Sequence, residues 1–110
     1  MSPGILSNTH VFLTGVTGAL ADGVMPDSQQ AQFHACFDKI AAVLAEADLG
    51  LDALVEMTSY HVGLRAHFDV FDRVRLQHLS APYPAWTAVE VAGLRRPGAV
   101  VEIRVIAALD

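Results

Sequence analysis

Apolar side chains recur along this chain with two different periods. The series Phe33, Phe37, Ile40, Leu44 and Ala47 advances by four, three, four and three residues, the rhythm of one face of an α-helix. Asp27 stands where a side-chain oxygen takes up free backbone N–H groups, and Gln30 three positions later completes a capping-box pattern. Gly50 closes the segment as a left-handed cap does. A second helical stretch, RAHFDVFDRVRLQHL (65–79), sets Phe68, Phe71 and Val74 on or near one face, with Leu79 close by. SAPYP (80–84) breaks it, because proline lacks an amide hydrogen and restrains its predecessor.

The other period is two. HVFLTG (10–15) reads as a strand stopped by Gly15, and the nine residues before it as a tail or the start of a strand. VTGALADGVMPD (16–27) reads as a turn or extended loop. ALVEMTSYHV (53–62), rich in β-branched and aromatic residues, reads as another strand. Segments 86–92 and 99–107 read as a C-terminal hairpin joined by GLRRPG (93–98). In its second strand Ala99, Val101, Ile103, Val105 and Ala107 are all apolar; in its first the same parity holds Thr87, Val89 and Val91. That side is expected to face the helices. The opposite side then carries Trp86, Ala88, Glu90, Val100, Glu102, Arg104 and Ile106, a mixed surface that suits a second subunit with a small pocket at the join. The order strand, loop, helix, strand, helix, strand, strand predicts an α+β two-layer sandwich, a mixed sheet with two helices on one face.

Composition sharpens this. The 110 residues suffice for a single domain, 1–110. The apolar share is 53%, above the usual figure of about 45–50%. No apolar run reaches the roughly 18 residues of a membrane span, so the excess is assigned to a subunit interface. A net charge of −5, with 7 basic against 12 acidic side chains, and no basic cluster longer than Arg95-Arg96 give no footprint for nucleic acid. One cysteine, Cys36, forms no intrachain disulfide and fits a reducing, cytoplasmic setting. MSPGILSNTH lacks the features of a signal peptide. The five histidines offer no helical i, i+4 pair, so no metal site is expected; His10 and His61 are the one pair on strands that could be neighbours. TGVTG (14–18) lacks the Gly-Lys of a phosphate loop. No cofactor is implied.

PAWTAVEVAGL (84–94) followed by VVEIRVIA (100–107) resembles the C-terminal signature of the Rid family, also called YjgF or L-PSP endoribonuclease. The family pattern runs Pro-Ala-Arg-Ser/Thr-x-Val-Glu-Val-Ala-x-Leu, then Val-Glu-Ile-Glu-x-Ile-Ala. VFLTG (11–15) fits the family's early strand, and the resemblance covers roughly residues 8 to 109. It implies a chorismate-mutase-like fold and a homotrimer with ligand pockets between subunits. Members that deaminate imines and enamines hold the substrate carboxylate with the motif arginine, and a glutamate positions the attacking water.

Against that pattern, Trp86 replaces the arginine. An indole carries no charge and one donor, so it cannot form a bidentate pair with a carboxylate; each such charge-assisted bond is worth about 1.5–3 kcal/mol. Ala88 stands where a cysteine is common, and the family's GPY segment has no counterpart in the sequence. Glu102 matches the water-positioning glutamate. Thr14 matches a serine lining the family pocket, Thr87 fills the motif's Ser/Thr slot and Asp72 falls where some members have asparagine, so these three are candidates to line the cleft or to serve as turns and caps; Arg104, on the expected face of Glu102, is a candidate replacement cation or an intersubunit ion-pair partner. Trp86 is expected to wall the pocket or to fill space at an interface. Two functions fit these residues: a hydrolase of imines, enamines or related small metabolites with Glu102 orienting water, and a non-catalytic small-molecule binding or regulatory trimer. Ribonuclease activity is disfavoured by the acidic charge balance.

Overall fold

The structure is a computed structural model that describes residues 2–109. Strands β1 (Gly4–Leu6), β2 (His10–Leu13), β3 (Val16–Thr17), β4 (Leu54–His61), β5 (Ala85–Glu90) and β6 (Val101–Ala108) form one sheet, and helices α1 (Gln29–Ala45) and α2 (Leu64–His78) lie on one side of it. The strand order is β1-β2-β6-β4-β5, with β3 paired to β6. Every pairing is antiparallel except β4 with β5, which α2 connects as a parallel crossover. The α+β architecture and mixed sheet agree with the expectation from the sequence. Among the described residues no helix is long and apolar enough to cross a membrane.

The α1 stripe behaves as its spacing predicts. Phe33, Phe37, Ile40 and Leu44 are fully buried, against Met57 of β4, Phe71 and Val74 of α2, and the odd residues of β6. Both ends of the helix differ from the expectation. Ser28, not Asp27, is the N-cap: its backbone is extended and its hydroxyl accepts the Ala31 N–H at 3.2 Å. At the other end the left-handed residue is Asp48 (φ 58°), two positions before Gly50, which is itself extended (φ −118°). An aspartate tolerates that conformation better than most side chains, and it lets the Leu49 N–H close on the Leu44 carbonyl at 3.0 Å.

Two contacts bring the loops onto α1. A Cβ on Gly18 would lie 2.6 Å from the Gln32 Cα and 2.7 Å from its carbonyl oxygen, so only glycine allows this approach. Buried Gln32 donates its amide to the Pro26 and Gly98 carbonyls and accepts the Val100 N–H, each at 3.0 Å. A buried amide is thereby satisfied on both its edges.

The C-terminal strands do not form a hairpin. β4 lies between them, parallel to β5 and antiparallel to β6. Period two gives the side-chain faces of a strand but not its neighbour, and GLRRPG spans a wider gap than a tight turn. A register shift between Leu54 and Glu56 acts as a β-bulge and turns both Leu54 and Met57 inward.

The face expectation holds for β6 and fails for β5. Val101, Ile103, Val105 and Ala107 are buried under the helices, leaving Glu102, Arg104 and Ile106 on the outer face. Trp86, however, is in register with Met57, and Met57 with inward-facing Val105. Trp86, Ala88 and Glu90 therefore face α2, and Thr87 and Val89 face outward. The apolar content of the two parities in 85–90 is similar, because an edge strand is only half covered; the pattern alone did not distinguish them.

Candidate functional site

Trp86 sits at the edge of the sheet beneath one face of α2. Phe68, Phe71 and Arg75 lie at i, i+3 and i+7 of that helix and so share a side. Phe68 stacks parallel to the indole (5.8 Å between centroids, 4° between planes), Phe71 is tilted against it at 5.8 Å, and the Arg75 guanidinium carbon is 4.5 Å from its ring centre. Arg75 also lies 5.5 Å from the Tyr83 ring, a second cation–π contact. Asp72, one helical turn before Arg75, accepts from its Nε and Nη2 at 2.9 and 2.7 Å.

The polar edge of the indole points inward. Trp86 Nε1 donates to Ser59 Oγ at 2.8 Å; the same oxygen is 2.8 Å from His61 Nε2, and His61 Nδ1 is 2.9 Å from His67 Nε2. An indole can only donate. An order in which each group of the chain donates onward is Trp86 to Ser59, Ser59 to His61, His61 to His67, which leaves the last hydrogen on His67 Nδ1. It ends at His67 Nδ1, the one sealed side-chain polar atom without a partner among the described residues. Burial, followed by the neighbouring His67, pushes His61 down to about 4, and burial lowers His67 as well. Both rings are neutral at pH 7. At the end of β5 the Glu90 carboxylate accepts the Gly63 and Leu64 N–H groups at 3.0 and 2.6 Å. It caps α2, whose N-cap residue Gly63 has no side chain to do so, and those bonds hold its pKa below the usual carboxylate value.

Glu102 belongs to a different surface. Central strand β6 presents it half-buried on the outer face, in register with Tyr60 and Thr17. Its carboxylate rests against Gly15, where a Cβ would meet Oε2 at 2.6 Å. No donor among the described residues bonds it. Trp86 and Glu102 thus lie on opposite faces of the sheet within one chain, contrary to the shared face expected from the sequence.

The remaining candidates are scattered. Thr14 lies beside Gly15, but its hydroxyl donates to the Ser2 carbonyl at 2.7 Å. Arg104 and Thr87 are exposed on the outer face, both in register with Thr58, and Arg104 makes no ion pair with Glu102 among the described residues. Asp72 joins the Trp86 cluster through Arg75. Cys36 is fully buried, and desolvation drives its thiol up to about 12, which removes it as a nucleophile. His10 and His61 are not neighbours, since β6 separates their strands. Instead His34 Nδ1 and His78 Nε2 meet at 2.8 Å between the helices, but no group of three described His, Cys, Asp or Glu side chains is placed to hold a metal. Sequence reasoning missed Arg75, Ser59 and His67, and set His61 beside His10 when its partner is His67. The i, i+3 spacing of Asp72 and Arg75 and the odd parity of Met57, Ser59 and His61 were the available signals.

The family described as Endoribonuclease L-PSP matches residues 1–109. The chain belongs to this family. It is the Rid family that the C-terminal motifs resemble. The chain is 36% identical over 107 residues to the RutC family protein YjgH of Escherichia coli, covering 96% of this chain and 80% of the relative. It superposes on the crystal structure of RidA from the Antarctic bacterium Psychrobacter sp. with a TM-score of 0.93 at 30% identity, covering 98% of this chain and 87% of that one. The structure of E. coli TdcF with bound serine gives a TM-score of 0.90 at 26% identity, over 98% and 87% of the two chains.

Proposed function

We propose that this L-PSP family member is a homotrimer that hydrolyses imines, enamines or related small metabolites in clefts between subunits. Glu102 carries the reading: a carboxylate on the central strand, half-open, seated on a glycine and without a donor among the described residues. In the reaction, Glu102 takes a proton from water as the oxygen bonds to the imine carbon. It passes that proton to nitrogen to give a carbinolamine, then carries the hydroxyl proton to nitrogen as the carbon–nitrogen bond breaks, which releases a carbonyl compound and ammonia. Because Trp86 and Glu102 occupy opposite faces of one sheet, a cleft holding both takes Glu102 from one copy and the Trp86 cluster with Asp72 from the next. The Thr14 region borders the Glu102 side, and exposed Arg104 and Thr87 belong to the surface that meets the partner. That outer face also carries Ile5 and Phe12, 66% and 39% exposed, an apolar surface suited to association.

The test is deamination of imines made in place by an amino-acid oxidase, with semicarbazide trapping the untreated imine. The wild type accelerates ammonia release, and Glu102→Ala loses about a hundredfold or more of that rate, the range for a general acid–base group. Full activity in Glu102→Ala overturns the role, and a monomer in sedimentation overturns the cleft. A second reading, a binding trimer without catalysis, is favoured by one observation: the polar edge of Trp86 is committed inward to Ser59, so β5 offers a ligand no cation. Ligand binding without turnover of any carboxylated or neutral imine selects it.

A further inference from the structure

The guanidinium missing from β5 has a counterpart on α2. Arg75 lies over the Trp86 ring at 4.5 Å and near Tyr83 at 5.5 Å, and its side chain is only 14% exposed. Such a group is held in place before any ligand arrives: two aromatic faces fix its plane and Asp72 fixes its rotation. Arginine has five N–H donors in one plane. Asp72 takes the side-on edge, Nε and one hydrogen of Nη2. The other three donors have no partner among the described residues. Those at the end of the fork, one on each Nη, are spaced for the two oxygens of a carboxylate. Nη1 is not sealed either, since His67 Nδ1 alone combines full burial with no partner among the described residues. Arg104, the cation expected from the sequence, lies on the opposite face of the sheet from the indole.

We propose that Arg75 is the anion-binding residue of the Trp86 cluster, recognising a small carboxylate end-on while Trp86 serves as its platform. This rests on the proposed cleft and assigns its charged partner. In that arrangement the indole does not replace the motif arginine; it supports an arginine delivered from the helix. Asp72 both orients the guanidinium and competes for its charge, so the site binds carboxylates more weakly than an unpaired arginine does.

The experiment measures binding of pyruvate and of its neutral isostere pyruvamide to the full chain by calorimetry, with the fluorescence of Trp86 as a check on folding. The wild type prefers pyruvate. Arg75→Gln lowers pyruvate affinity about tenfold or more, the equivalent of one lost charge-assisted bond, and leaves pyruvamide unchanged. Asp72→Asn strengthens pyruvate binding by removing the competing charge, a result that a purely structural Asp72–Arg75 pair does not give. Arg75→Lys, which keeps the cation, retains part of the preference and carries the test together with Asp72→Asn if Arg75→Gln does not fold. An unchanged preference in Arg75→Gln, or equal loss for both probes, overturns the assignment of Arg75. If Glu102-dependent imine turnover persists in that case, the proposed function stands without it. If the wild type binds neither probe and turns over no imine, the proposed function falls and this inference with it.

Discussion

The indole N–H of Trp86 and the hydroxyl of Ser59 meet at 2.8 Å on neighbouring parallel strands. The bond fixes the large edge-strand side chain to a fully buried serine, and through it to the His61–His67 pair. Ser59→Ala leaves an indole hydrogen and a histidine nitrogen without their partner inside the protein. The expected loss is about 1–3 kcal/mol of stability, read from urea unfolding, with a red shift in the emission of the single tryptophan.

Trp86 itself stabilises through area as well as through its hydrogen bond. Trp86→Ala removes the surface on which Phe68, Phe71 and Arg75 rest, with an expected cost of about 3 kcal/mol. Trp86→Phe keeps the stacking, loses the N–H and costs less. Equal destabilisation by the two substitutions, measured as denaturant midpoints, contradicts this division.

His61 and His67 make stability depend on pH. Each has a folded-state pKa below its ordinary value of 6.5, with His61 near 4. The unfolded chain therefore takes up protons first as pH falls. Their contribution is level above about pH 7, declines below 6.5 and flattens near 4. Each such histidine contributes at most about 1.4 kcal/mol per pH unit within the window. Urea titrations at a series of pH values from 7.5 to 4.5 check the slope, which His61→Gln reduces.

Gly15 and Gly18 give opposite outcomes on substitution by alanine. At Gly15 the new methyl meets the movable end of Glu102; the fold tolerates it, while the carboxylate is displaced. Imine turnover then falls toward that of Glu102→Ala with little change in Tm. At Gly18 the methyl meets the Gln32 backbone, which has nowhere to go, and stability drops by about 1–3 kcal/mol or more. Tm and turnover measured on the same two variants separate the effects.

The readable parts of this chain were those governed by one period at a time. The α1 stripe and the inward row of β6 were legible because each buries a complete face. The family was legible from two motifs at a fixed gap. Trp86 was placed on the wrong face because β5 is an edge strand, where coverage and hence parity are weak, and the two C-terminal strands were wrongly paired because periodicity carries no information about neighbours. Ser28 and Asp48 displaced the expected caps by one and two residues, within the freedom of helix ends. The Asp72–Arg75–Trp86 assembly needed the crossover from α2 to β5. No pattern within either segment contains it.

Gln32 has a consequence for opening motions. Its oxygen holds the Val100 amide hydrogen while its nitrogen grips carbonyls from two loops. That hydrogen can exchange with deuterium only when its bond to the Gln32 side chain opens. The lead-in to β6, and with it the footing of Glu102, is therefore tied to α1 in one cooperative unit, leaving the carboxylate little freedom to drift on its own.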